Sequence, residues 1–133
     1  MLRRTLLAAA ACALAMPAAA AEDYVPGLVD QHLAAGRTVF LDYTATWCGT
    51  CRSQGRTLAK LKAENPAYEQ GVTFIDIDWD TYRGSEIVSR YGVPRRSTLI
   101  ALSPSGEIGR IVAGTREADI KALMDAALAA SAS

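Results

Sequence analysis

Two cysteines three residues apart, Cys48 and Cys51, stand between a strand-like run and a helix-like segment. The run before them, 38–43, is short and rich in β-branched and aromatic residues, which predicts a buried strand. The segment after them, 52–64, carries leucines at helical spacing and ends before a proline. We therefore predict a strand, a loop that holds both cysteines, and a helix, in that order.

The rest of the chain alternates between strand and helix patterns. Strand patterns stand at 72–77, 98–102 and 108–113, and helix patterns stand at 28–35, 85–91 and 118–130. Such alternation indicates parallel strands covered by helices on both faces, and a tight turn at 103–106 makes the last two strands antiparallel. The length of 133 residues argues for one domain. We predict an α/β fold with a central mixed four-stranded sheet flanked by helices.

The beginning of the chain has the layout of a secretory signal peptide. Two arginines precede an apolar run, 6–16, and four alanines, 18–21, come before the acidic pair Glu22–Asp23. The apolar run is shorter than the ~20 residues that a membrane span requires. We expect residues 1–21 to be cleaved and residues 22–133 to form one domain in an oxidising compartment outside the cytoplasm.

Charge and cysteine count exclude several classes of protein. The full chain is neutral, and without its leader it has two more acidic than basic side chains, so no basic excess points to a nucleic-acid partner. Half of the residues are hydrophobic, which excludes a disordered chain. Three cysteines are too few for a disulfide-rich scaffold. Lipidation of the third cysteine, Cys12, is an alternative to cleavage of the leader.

The cysteine pair has the chemistry of a redox site. At the start of a helix, Cys48 meets unpaired backbone N–H groups and the positive end of the helix dipole, which favour a nucleophilic thiolate. Cys51, one turn further on, can attack a mixed disulfide formed on Cys48. A disulfide across three residues stabilises a fold little. A zinc site needs two more ligands, and the only histidine, His32, is expected on the surface of the first helix.

The segment 41–51, which includes Trp47 and both cysteines, resembles the active-site segment of the thioredoxin superfamily. The resemblance implies a thioredoxin-like fold, in which Cys48 attacks a disulfide and Cys51 resolves the mixed intermediate. It also implies that Asp42, six positions before the first cysteine, accepts and returns the proton of Cys51. Burial in a strand raises the pKa of such a carboxyl group toward the range useful for proton transfer.

The loop before the third predicted strand departs from the family pattern. Aligned without a gap, Ser97 takes the place of the family's cis-proline, whereas the alternative, Pro94, breaks the spacing to that strand. A cis bond before serine costs about 3 kcal/mol, so we expect a trans bond or a strained loop between Arg96 and Ser97. We also expect loss of the proline to bare the sulfurs to metal. The residues expected to contact substrate are Trp47, Gly49, Thr50, Arg96, Ser97 and Thr98.

Charged residues mark two further departures. The lysine that the family often carries near its buried acid has no match, and Asp76 or Asp78 stands there, which would raise the pKa of the acid. Three arginines, Arg52, Arg95 and Arg96, either surround Cys48 with positive charge or steer an acidic partner.

The resemblance implies a periplasmic thiol–disulfide oxidoreductase that needs no cofactor. We predict a reductase of protein disulfides, because Thr50 lacks the charge that histidine supplies in strongly oxidising relatives. Its partners would be protein disulfides and a membrane-embedded thiol donor, and we expect a monomer. Two alternatives stay open: a disulfide oxidase or isomerase of the same fold, and a dithiol module that binds Cu(I).

Overall fold

The structure is a computed structural model that describes residues 20–132. In chain order its elements are β1 (Glu22–Asp23), α1 (Leu28–Ala34), β2 (Thr38–Thr44), α2 (Gly49–Glu64), α3 (Ala67–Gly71), β3 (Val72–Asp78), α4 (Trp79–Tyr82), α5 (Glu86–Ser89), β4 (Thr98–Ser103), β5 (Gly106–Val112) and α6 (Glu117–Ser131). The expected signal peptide lies almost wholly outside the described residues. Within them, no helix has the length and apolar character to cross a membrane.

The sheet has five strands in the order β1-β3-β2-β4-β5. Strands β1, β3 and β2 run parallel, and β4 and β5 are antiparallel additions joined by a hairpin. The α/β class and the mixed sheet are confirmed, but the predicted number of four strands is wrong. The extra strand, β1, consists of two residues that pair with Ile75 and Asp76, and two residues cannot show a strand pattern.

Strand β2 lies at the centre of the sheet, and its side chains pack in both halves of the hydrophobic core. Because successive side chains of a strand point to opposite faces, Val39, Leu41 and Tyr43 pack with one cluster and Phe40 packs with the other. The second cluster includes leucines of α2 and the buried face of α6. Asp42 shares the parity of Phe40, so the fold directs this carboxyl group toward the face that α2 covers.

Two local features differ from the sequence predictions. The helix after the cysteine loop begins at Gly49, so that Cys51 lies within its first turn. His32, expected on the surface, is buried, and its ring nitrogens lie 2.6 Å from a Glu22 oxygen and 2.9 Å from Arg37 Nη1. Contacts with Glu22 in β1 and with Arg37 in the loop after α1 therefore cover this histidine, which the pattern of α1 alone would leave exposed.

Candidate active site

Cys48 and Cys51 are free thiols at the start of α2. Cys48 is the N-terminal capping residue, and its sulfur accepts the backbone N–H of Cys51 at 3.2 Å. This bond satisfies one of the donors that a helix leaves unpaired at its first turn. Both residues are buried, with 3% and 2% of their surface exposed.

Ser97 closes the site from the opposite side. Its Oγ lies 3.2 Å from Cys48 Sγ and 3.0 Å from Cys51 Sγ, and the residue has no exposed surface. The Arg96–Ser97 bond is trans, since no peptide bond among residues 20–132 is cis. The expectation that loss of the proline would bare the sulfurs is wrong, because the serine side chain covers them. Among the same residues, no group of three or more potential ligands could hold a metal ion.

The backbone of Ser97 is held from three directions. Its N–H donates to the Tyr43 carbonyl at 2.7 Å, and its own carbonyl accepts from Ala113 N at 2.8 Å and from Gln54 Nε2 at 3.0 Å. These bonds hold the residue at a φ of 60°, a left-handed conformation that is unfavourable for serine. The fold thus fixes the position of the hydroxyl at the expense of local strain.

Gln54 is a site residue that sequence reasoning missed. It is fully buried, and its amide nitrogen also donates to the Gly114 carbonyl at 2.9 Å. The signal was a polar residue four positions before Leu58, on the buried face of α2. Such a residue indicates a buried backbone group that needs a donor.

The surroundings of Cys48 favour its thiolate. Burial opposes ionisation, but hydrogen bonds from the Cys51 thiol, the Ser97 hydroxyl, the Cys51 backbone and the Arg96 side chain outweigh it and lower the pKa of Cys48 to about 6. A thiol with this pKa is mostly a thiolate at neutral pH and is therefore a ready nucleophile.

Asp42 is a buried acid beneath α2. Burial first, and the charge of Asp76 second, raise the pKa of Asp42 to about 7, while the positive charge of Lys62 acts in the opposite direction. Asp42 Oδ1 has no hydrogen-bond partner among the described residues. Asp76, rather than Asp78, therefore occupies the position beside the acid, and Lys62 from α2 supplies a cation that sequence reasoning did not find.

A cavity of about 580 Å³ connects Asp42 and Cys51. Four aspartates lie along it together with the second cysteine; the aspartates are Asp23, Asp42, Asp76 and Asp78. Cys51 and the buried acid therefore face one shared cavity.

The outer rim of the site is formed by Trp47 and arginines. Trp47 is 54% exposed, its Nε1 donates to Asp80 Oδ2 at 2.8 Å, and the guanidinium of Arg96 lies 4.5 Å from the centre of its ring. Arg52 turns instead to the Thr46 carbonyl at 3.1 Å. The indole is thus held between a carboxylate and a cation at the edge of the cysteine pair.

The other residues expected to contact substrate differ in exposure. Gly49 is exposed and Thr50 is half-buried, next to the rim. Thr98 is fully buried, and its hydroxyl donates to the Arg95 carbonyl at 2.7 Å, so this side chain braces the loop from within.

Comparison with known proteins identifies similar chains. The family model described as thioredoxin matches residues 26–126. The chain is 31% identical over 87 residues to "Thioredoxin H-type" from Oryza sativa subsp. indica. That match covers 65% of this chain and 66% of the relative. It is 36% identical over 100 residues to "Thiol:disulfide interchange protein DsbD 2" from Pseudomonas aeruginosa. That match covers 71% of this chain and 17% of the relative. The chain thus spans less than two thirds of either relative.

A solved structure matches over most of the described fold. The crystal structure of Trxlp from Edwardsiella tarda EIB202 superimposes with a TM-score of 0.67 and 27% sequence identity. The match covers 78% of this chain and 98% of that one, so the two share their architecture nearly from end to end of the solved chain.

Proposed function

The chain belongs to the thioredoxin family, and on that premise we propose that it is a thiol–disulfide oxidoreductase that reduces disulfides of partner proteins. The observation that carries the proposal is the pair of free, buried thiols at the start of α2, of which Cys48 has a pKa lowered to about 6. Cys48 is the nucleophile, Cys51 the resolving thiol and Asp42 the proton acceptor.

The first step is attack by the Cys48 thiolate on one sulfur of the partner disulfide. A bond forms between Cys48 and that sulfur, and the partner's S–S bond breaks. The other partner sulfur leaves with the electron pair and takes up a proton. Trp47 and the exposed Gly49 border the approach to the cysteine and offer the surface on which the partner docks.

The second step resolves the mixed disulfide. Cys51 loses its proton to Asp42, and its thiolate attacks the Cys48 sulfur, so that the Cys48–Cys51 disulfide forms and the second partner thiolate is released. The chain is oxidised by two electrons and the partner is reduced by two. Bonding of Cys48 to the partner also removes a negative charge that raises the pKa of Asp42. Asp42 thus ionises more readily at the stage where a base is required.

We place this activity in the periplasm, supplied with electrons by a membrane-embedded thiol donor, and we expect the chain to act as a monomer. Support comes from the sequence of the leader and from the similarity to a relative named as a thiol:disulfide interchange protein. Fractionation of cells that express the full chain, with detection of a product starting near Glu22, tests the location. A full-length product in the cytoplasm contradicts it.

Two single-cysteine variants test the exchange mechanism directly. Cys48→Ser should abolish reduction of a protein disulfide such as that of insulin. Cys51→Ser should lose turnover but accumulate a covalent adduct between Cys48 and the partner, because the resolving thiol is missing. The two variants act as controls for each other, since both remove one sulfur from the same site. Turnover by Cys48→Ser, or no adduct with Cys51→Ser, contradicts the proposal.

A second candidate, a disulfide oxidase or isomerase, is favoured by one observation. The hydrogen bonds that stabilise the Cys48 thiolate also stabilise the reduced form, and a stabilised reduced form makes a dithiol pair a stronger oxidant. The charge of Asp42 acts in the opposite direction, since a nearby carboxylate disfavours a thiolate. The reduction potential of the pair distinguishes the two candidates.

A further inference from the structure

We propose that the Ser97 hydroxyl is a catalytic group of the exchange reaction, which donates its hydrogen bond first to the Cys48 thiolate and then to the Cys51 thiolate. The inference rests on the proposed function and adds a group that touches both reacting sulfurs. The observation that carries it is a single buried oxygen 3.2 Å from one sulfur and 3.0 Å from the other.

The geometry allows the hydroxyl to serve either sulfur without movement of the chain. A serine hydroxyl has one proton to donate, and rotation about its Cβ–Oγ bond aims that proton. The backbone of Ser97 is fixed by bonds to Tyr43, Ala113 and Gln54, so the oxygen keeps its place between the sulfurs. With no exposed surface, the residue offers its proton to the sulfurs rather than to bulk water.

In the reduced protein the Ser97 hydroxyl donates its hydrogen bond to Cys48. Cys48 carries the negative charge at neutral pH because its pKa is lowered, and the Cys51 side chain donates a hydrogen bond to it. A hydrogen bond to an ionised acceptor is stronger than one to a neutral acceptor, so the hydroxyl turns to the Cys48 sulfur. This contact raises the fraction of nucleophile before the partner arrives.

In the mixed disulfide the charge changes place. The Cys48 sulfur is now bonded to the partner and is neutral, while Cys51 passes its proton to Asp42 and becomes the thiolate that attacks. The hydroxyl turns to the Cys51 sulfur and stabilises it until the Cys48–Cys51 bond forms and the partner thiolate leaves. One proton donor thus assists both nucleophiles in succession, and it is itself neither consumed nor oxidised.

A proline at position 97 could supply neither of the two bonds that serine makes here. It has no hydroxyl for the sulfurs, and it has no backbone N–H for the Tyr43 carbonyl. The serine therefore adds a proton donor to the cysteine pair while it ties the loop to β2. These two contributions separate experimentally, because alanine and glycine remove the first and keep the second.

Two variants and a matched control test the inference in the full chain. Ser97→Ala removes the hydroxyl and keeps Cβ, and Ser97→Gly removes the hydroxyl and suits the φ of 60°. Ser53→Ala, the matched control, deletes a hydroxyl from α2, the helix that carries the cysteines, whereas the hydroxyl that contacts both sulfurs is that of Ser97. Thiolate absorbance against pH gives the pKa of Cys48, and rapid mixing gives the rate at which Cys51 releases glutathione from a mixed disulfide on Cys48.

We expect both Ser97 variants to raise the pKa of Cys48 by about one unit, which lowers the thiolate fraction about tenfold at pH values below the pKa. Both should slow the release of glutathione by about tenfold, and Ser53→Ala should change neither quantity. If both Ser97 variants keep the wild-type pKa of Cys48 and the wild-type rate of glutathione release, the inference is overturned. Failure of the wild-type protein to reduce any protein disulfide overturns the proposed function instead, which the insulin assay shows separately.

Discussion

Asp42 and Asp76 are register partners across the parallel strands β2 and β3, and both carboxyl groups line the cavity that reaches Cys51. Burial raises the pKa of each, and the charge of Asp76 raises that of Asp42 further. The positive charge of Lys62 acts in the opposite direction and lowers the pKa of both carboxyl groups. The result is a proton acceptor with a pKa of about 7 next to a thiol that must lose a proton.

Substitution of the partner acid should retune this acceptor. Asp76→Asn removes a negative charge, so the pKa of Asp42 should fall. The acid limb of the rate at which Cys51 resolves a mixed disulfide should move to lower pH by about half a unit to one unit. Asp78→Asn is the matched control, because Asp78 lies on the same strand but caps α4. An acid limb that stays in place in Asp76→Asn would show that the two acids do not interact.

The same buried acid should make stability depend on pH. The pKa of Asp42 is about 7 in the folded chain, and that of an unfolded aspartate is about 4. Between these values the folded protein holds a proton that the unfolded chain has released, so the stability falls as pH rises. Asp42→Asn removes this fall and should stabilise the protein by about 2 to 4 kcal/mol at pH ~8 and little at pH ~4.

Urea unfolding of both proteins at the two pH values measures this difference. The sign follows from the raised pKa, because a carboxyl group that prefers to be neutral in the folded state costs free energy when it is charged. An equal effect of Asp42→Asn at both pH values would mean that Asp42 ionises normally in the folded protein.

The amide of Gln54 should contribute to the stability of the loop that carries Ser97. Gln54→Leu keeps the volume but removes the donor shared by the buried Ser97 carbonyl and the half-buried Gly114 carbonyl, so we expect a loss of about 1 to 3 kcal/mol. Arg56→Leu places the same side chain at an exposed position of the same helix and serves as the control. The midpoint of urea unfolding gives the result, and a Gln54→Leu variant as stable as the wild type contradicts it.

The sequence was informative where the pattern is local. The cysteine pair between a strand and a helix, the alternation of elements, and the position of Asp42 all depend on neighbours along the chain, and the structure has the predicted α/β fold. The two residues of β1 escaped because a strand that short has no periodicity. These two residues form a strand only because they pair with the edge of β3 in the folded chain.

The site was harder to predict because its parts meet through space. Lys62 approaches Asp42 from α2, and Gln54 reaches the Ser97 carbonyl across 43 positions of sequence. The position of Ser97 could be aligned, but the fit of its hydroxyl between both sulfurs depends on a left-handed backbone that three hydrogen bonds enforce. Sequence reasoning foresaw a departure from proline and missed that the serine covers the sulfurs.

The arginine on the rim should act on the nucleophile as well as on the tryptophan. Arg96→Ala removes a hydrogen bond that lowers the pKa of Cys48, so that pKa should rise by about half a unit, as expected for a partly exposed charge. The indole of Trp47 should also lose its cation and change its fluorescence. Arg95→Ala, one residue earlier, is the control. If the pKa of Cys48 in Arg96→Ala is no higher than in Arg95→Ala, Arg96 has no role in stabilising the thiolate.

The reduction potential of the Cys48–Cys51 couple tests the central claim most directly. Equilibration of the purified protein with glutathione buffers of known ratio, followed by trapping of the free thiols, gives the value. A reductase supplied by a thiol donor should lie near the ~−270 mV of thioredoxin. A potential above ~−180 mV would contradict that account and make the chain a disulfide oxidase or isomerase.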